Sequence, residues 1–107
     1  MNFSVEVTAH FAKQLKRLSK KFPSLKDEFK DLINSLKEKP EQGTSLGNNC
    51  FKIRLAIRSN GKGKSGGARV ITHIQVIKSR VFLLSIYDKS EQSDINDRDL
   101  SNWIKDL

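Results

Sequence analysis

Cys50-Phe51-Lys52-Ile53-Arg54-Leu55-Ala56-Ile57-Arg58 is the stretch in which the hydrophobic period of the chain becomes two. Phe51, Ile53, Leu55 and Ile57 fall on one side of an extended strand, and Cys50, Lys52, Arg54, Ala56 and Arg58 on the other. Successive side chains of a strand point to opposite faces, so one face reads as buried and the other as cationic. Downstream, residues 69–77 and 80–88 predict two further strands joined by a tight turn near Lys78-Ser79. The second is apolar at nearly every position from Val81 to Ile86, the pattern of a central strand.

Upstream the period is helical. Phe11, Leu15, Leu18 and Phe22 stand at i, i+4, i+7 and i+11, with Thr8 placed to cap. Pro23 ends that pattern, and Ser24 with Asp27 predicts a capping box for a second helix. Its stripe is Leu25, Phe29, Leu32, Ile33 and Leu36, closed by Pro40, so the two helices should form an antiparallel hairpin. Before them, residues 3–8 alternate as a short strand with Phe3, Val5 and Val7 inward. After the strands, Asn96 caps a last helix carrying Leu100, Trp103, Ile104 and Leu107, with Ile95 stapled to Leu100. The order β-α-α-β-β-β-α predicts an α+β fold, a mainly antiparallel sheet packed on a helical hairpin plus a C-terminal helix. At 107 residues the expectation is a single domain, 1–107.

Charge is distributed unevenly. Residues 1–41 carry nine basic and six acidic side chains, and residues 88–107 carry three and six. The net +8 therefore sits in residues 42–87, where Lys52, Arg54, Arg58, Lys62, Lys64, Arg69, Lys78 and Arg80 meet no acid. Such a segment reads as a surface for polyanions. The longest aliphatic-aromatic run, Val81 to Leu84, is far too short to span a membrane, and nothing resembles a signal peptide. A single cysteine, Cys50, excludes a disulfide framework within the chain, and a cytoplasmic location is expected.

Several chemistries fail on spacing. Gly63-Lys64-Ser65 suggests a phosphate loop, but Arg58 stands where its first glycine belongs and a strand follows instead of a helix. His10 and His73 have no carboxylate at ligand spacing, so neither metal nor cofactor is expected. Asp88 adjoins the basic segment and either orients a cation or simply ends its strand. What survives is Lys52, Arg54, Arg69 and Tyr87, which antiparallel pairing can bring together. Cations around a scissile phosphate stabilise the charge of its transition state. Tyr87 can stack an RNA base or pack in the core, and spacing alone leaves both open.

Three segments together, 52–56, 61–71 and 82–91, resemble the RelE/ParE superfamily of bacterial toxins, nearest its HigB-like RelE branch. The resemblance implies a type II toxin that cleaves mRNA in the ribosomal A site without a metal. It implies Lys52 as general base or transition-state cation, Arg54 and Arg69 as phosphate clamp, and Tyr87 as the residue that stacks or orients the base. Arg58, Lys62, Lys64 and Lys89 would hold flanking RNA. The implied partners are a cognate antitoxin protein, the ribosome and mRNA, with no membrane and no small-molecule cofactor. The alternatives are a ParE-like inhibitor of DNA gyrase and a non-catalytic basic nucleic-acid-binding module.

Overall fold

The computed structural model describes residues 2–61, 63 and 66–107. Strand β1 (Ser4–Val7) leads into helices α1 (Ala9–Lys21) and α2 (Leu25–Glu38). Strands β2 (Thr44–Gly47) and β3 (Cys50–Leu55) follow, then a single 3-10 turn (Arg58–Asn60), β4 (Ala68–Gln75), β5 (Arg80–Asp88) and helix α3 (Asp97–Lys105). The strands lie side by side as β1-β5-β4-β3-β2. Only β1 runs parallel to its neighbour; the other three pairings are antiparallel.

The predicted α+β class and helical hairpin are present, with one strand added. Strand β2 pairs with β3 through a turn at Asn48 and Asn49, both with positive φ (53° and 59°). Two consecutive left-handed residues are what a tight hairpin turn requires, and asparagine tolerates that region better than most residues.

Hydrogen bonds decide which of the predicted caps form. Phe11 N–H donates to Thr8 Oγ1 at 3.3 Å and Asp99 N–H to Asn96 Oδ1 at 2.8 Å, so both predicted N-caps form. The capping box at Ser24 does not. Its backbone is already helical and its hydroxyl donates to Glu28 Oε1 (2.9 Å), while Ser59 N–H donates to that hydroxyl (3.0 Å). The hydroxyl is thereby committed to tying α2 to the 3-10 turn.

The sheet has two covered faces. Against α1 and α2 it presents Ile53, Val70, Ile74, Val81, Leu83 and Ile86, which form the main core with Phe11, Leu18, Leu25 and Leu36. Phe3 and Val5 pack on this core as expected, but Val7 remains 44% exposed at the sheet edge. Against α3 lies a second cluster of Cys50, Ile71, Leu84, Tyr87 and Leu100, with Ile95, Trp103 and Ile104 packed on it. Strand β5 serves both faces through a bulge. Ile71 pairs with Ser85 and Thr72 with Leu83, so Leu84 is the extra residue. Inserting one residue reverses the alternation. Val81 and Leu83 therefore face the helical hairpin, whereas Tyr87, of the same parity, faces α3.

Candidate functional site

Register places the expected residues together. Arg54 on β3 lies opposite Arg69 on β4, and Arg69 lies opposite Tyr87 on β5. The three form one row across three strands, on the face turned from the helical hairpin. Lys52 shares that face two residues along from Arg54 and pairs across to Ile71. Glycine shapes the row's end. A Cβ on Gly67 would run into the Leu55 carbonyl, so only glycine lets the chain enter β4 this close to β3.

Exposure divides the set. Arg54 is exposed and Lys52 half-buried, but Arg69 and Tyr87 are each 3% exposed. Arg69 Nη1 donates to the Ala68 carbonyl at 3.1 Å. Like charges directly across a strand pair oppose folding, so the Arg54–Arg69 pairing is an arrangement that stability alone does not select. Burial pushes the Tyr87 phenol up and the charge of Asp94 adds to this, while Arg69 works the other way. Tyr87 therefore remains a protonated phenol at neutral pH, and its buried oxygen has no hydrogen-bond partner among the described residues. That is the core reading of Tyr87 in part, with its polar end left unsatisfied.

Asp94 is the residue that spacing missed. Lys52 Nζ donates to its Oδ1 at 3.3 Å, across 42 positions of sequence. The Ile95 N–H, then Lys52 and Lys89, hold its carboxyl below the usual carboxylate range against the effect of burial. Its signal in the sequence was only its place among the acids that follow β5.

The outer cations do not all join this row. Arg58 turns to the N-terminus of α2, where Nε donates to Glu28 Oε2 at 3.0 Å and Nη2 lies 3.7 Å from Asp27. It is an ion-paired strut there, not a neighbour of Lys52. Lys89 is exposed and close enough to act on Asp94. Lys62 and Lys64 lie outside the described residues. A depression of about 290 Å³ beside the row is lined by Gln42, Gly43, Thr44, Lys52, Ile53 and Arg54.

The remaining candidates are structural. Cys50 Sγ and His73 Nδ1 are 3.4 Å apart across β3 and β4, a proximity the sequence reading did not foresee. Burial pushes the Cys50 thiol up to about 11, so it stays protonated and is no nucleophile at neutral pH. Asp88 does orient a cation, accepting from Lys21 Nζ at 3.1 Å while Ser90 N–H and Oγ donate to its other oxygen. Among the described residues no group of three or more His, Cys, Asp or Glu is placed to hold a metal, and no helix is long and apolar enough to cross a membrane.

A sequence model described as the RelE toxin of the RelE/RelB toxin–antitoxin system matches residues 7–106. The chain belongs to the RelE toxin family. Solved structures share its fold. A double arginine-to-alanine mutant of the E. coli RelE toxin in the free state is similar at a TM-score of 0.66 and 17% identity, over 100% of this chain and 99% of that one. The toxin–antitoxin complex RelBE of E. coli is similar at 0.63 and 19% identity, over 80% and 95%. The RelBE2 complex of Mycobacterium tuberculosis is similar at 0.59 and 14% identity, over 82% and 99%. The row Arg54–Arg69–Tyr87 lies on the sheet face that α3 partly covers.

Proposed function

We propose that this RelE-family toxin is a cytoplasmic, ribosome-dependent endonuclease that cleaves mRNA by attack of a 2′-OH on the adjacent phosphorus. The attack forms a 2′,3′-cyclic phosphate and breaks the bond to the 5′-oxygen of the next nucleotide, with the 2′-OH proton passing through solvent water to that leaving oxygen. The observation that supports it most is the row of two arginines and a tyrosine across β3, β4 and β5, flanked by Lys52. Arg54 and Lys52, the accessible cations, meet the phosphate and the charge that develops on it. Arg69, buried behind them, contributes positive potential and positions Arg54. Lys52 acts as the transition-state cation rather than the base, since its ammonium already serves a carboxylate. The Tyr87 phenol is a hydrogen-bond donor beneath the site, and Lys89 extends the cationic path for the RNA. The ribosome supplies in-line geometry for the RNA, which a shallow site on a small domain provides poorly.

Its partner is an antitoxin, as in the RelBE complexes of similar fold. The groove between α1 and α2 suits an acidic amphipathic segment. About 410 Å³ in volume, it has an apolar floor of Val7, Ala12, Leu15 and Phe29 and a rim of Lys16, Lys20 and Lys26.

Primer extension on mRNA from cells expressing the chain tests the activity. Arg54→Ala is the informative variant, because Arg54 is exposed and its loss leaves the core untouched. Discrete cleavage by the parent is expected, slowed about 10²–10³-fold in the variant, the usual effect of losing one transition-state donor. Growth arrest without mRNA cleavage would overturn this reading and favour a gyrase-directed binder.

A further inference from the structure

Asp94 performs no step of the cleavage just assigned, yet its carboxylate stands on Lys52, one of the accessible cations of the site. Lys52 Nζ and the Ile95 N–H both donate to its Oδ1, at 3.3 and 2.9 Å. Its backbone carbonyl accepts the Gln92 side-chain amide at 2.9 Å, an exposed hydrogen bond within the loop that carries it. Lys89 and Tyr87 are near enough to interact electrostatically with the same carboxylate. One anion therefore pairs with Lys52 and acts electrostatically on Lys89 and Tyr87.

A carboxylate and a phosphodiester carry the same single charge and accept from the same ammonium. We propose that Asp94 is a built-in competitor of RNA, its carboxylate standing on Lys52 in the place an RNA phosphodiester takes. Binding of RNA then exchanges one anion for another and moves the 89–96 loop off Lys52. This rests on the reading of the chain as an RNA-cleaving toxin.

Two further observations carry the proposal. The pair is open to water, with Asp94 61% and Lys52 27% exposed, so it is the kind of ion pair that a multivalent polyanion displaces. Beneath the same segment the Tyr87 oxygen is buried without a partner, while Ile95 and Leu100 pack in the cluster that covers its ring. A closed arrangement that strands a phenol in this way has something to gain by opening onto a polar ligand.

The probe is a fluorescent single-stranded oligoribonucleotide, 2′-O-methylated throughout so that it binds without being cut. Its affinity for the full chain is measured by anisotropy over a series of salt concentrations. Asp94→Asn keeps an oxygen for the Ile95 N–H and removes the charge. It should bind about two- to fivefold more tightly than the parent, the range for one exposed ion pair. Its salt slope should steepen by up to about 0.7, because in the parent the Asp94 carboxylate set free by RNA gathers a cation that offsets the one released from the phosphate. Asp106→Asn, an equal change of net charge at the exposed end of α3, should do less. In a Lys52→Met background the advantage of Asp94→Asn should largely vanish.

Equal or weaker binding by Asp94→Asn, or an equal gain from Asp106→Asn, overturns the proposal. Failure of the nuclease reading shows separately. In that case primer extension finds no cleavage by parent or variant, whatever the anisotropy comparison gives.

Discussion

One face of the sheet rests on two long helices, the other on a single short helix and the loop before it. The first is dry and continuous: Phe11, Leu18, Leu25 and Leu36 are wholly buried against β3, β4 and β5. The second is smaller, and its cluster borders directly on Lys52, Arg54, Arg69 and Asp94. Burial of apolar area supplies most of the free energy of folding, so the hairpin face can hold the sheet while the α3 face carries charges that oppose it. The stabilising core and the cationic row are thus separated by the thickness of one sheet.

Substitutions can break that division. Phe11→Ala should have the largest effect, about 3–5 kcal/mol, since Phe11 is fully buried and packs on the Phe29 ring at 5.6 Å. Denaturant unfolding measures it. Leu100→Ala on the other face should cost about 2 kcal/mol, the low end for such a truncation. Only Leu100, Trp103 and Ile104 hold α3 to its cluster. Trp103 stacks on His10 at 5.1 Å, so its fluorescence should report loosening of α3 ahead of global unfolding. A Leu100→Ala cost equal to that of Phe11→Ala would erase the distinction between the faces.

A third test uses pH. Burial of Asp88 works against its charge, but Ser90 and Lys21 outweigh it and leave its carboxyl below the usual range. A depressed folded pKa stabilises the fold above the ordinary carboxylate value, about 3.9, and that contribution is lost as pH falls through the folded value. Asp88→Asn should therefore cost about 1.5 kcal/mol at neutral pH, as for a hydrogen bond to a charged group, and flatten the acid limb of the stability profile. Unfolding midpoints from pH 7 down to pH 2 check both. The smallest effect is a gain. Thr72 is fully buried, its hydroxyl without a partner among the described residues, and Thr72→Val should add about 1 kcal/mol in thermal unfolding.

How much of this was legible depended on range along the chain. The β3 alternation and the helix stripes announce themselves within a few residues, and Thr8 and Asn96 cap as read. Strand β2 was missed because Thr44-Ser45-Leu46-Gly47 is short and polar, although Gly47, Asn48 and Asn49 carry the mark of a turn in their successive positive φ angles. The row Arg54–Arg69–Tyr87 needed a register that no local pattern fixes, and the bulge at Leu84 that delivers Tyr87 to this face left only a loss of alternation from Val81 to Ile86. The acid-free count over residues 42–87 misled most. Lys52 meets Asp94 and Arg58 meets Glu28 across 42 and 30 positions, so the segment is less bare in space than in sequence.

The parallel pairing of β1 with β5 sets a clock on biosynthesis. Ser4 has its partner at Arg80, and every residue between must be made before the first strand can join the sheet. At about 5–20 residues per second, β1 waits roughly 4–15 s for the chain that completes it. Until then the apolar stripes of α1 and α2 lack the complete sheet that covers them, and the row of Arg54, Arg69 and Tyr87 does not yet exist. A fragment released before residue 87 therefore lacks the row altogether, and the row can close only once the last fifth of the chain is being made.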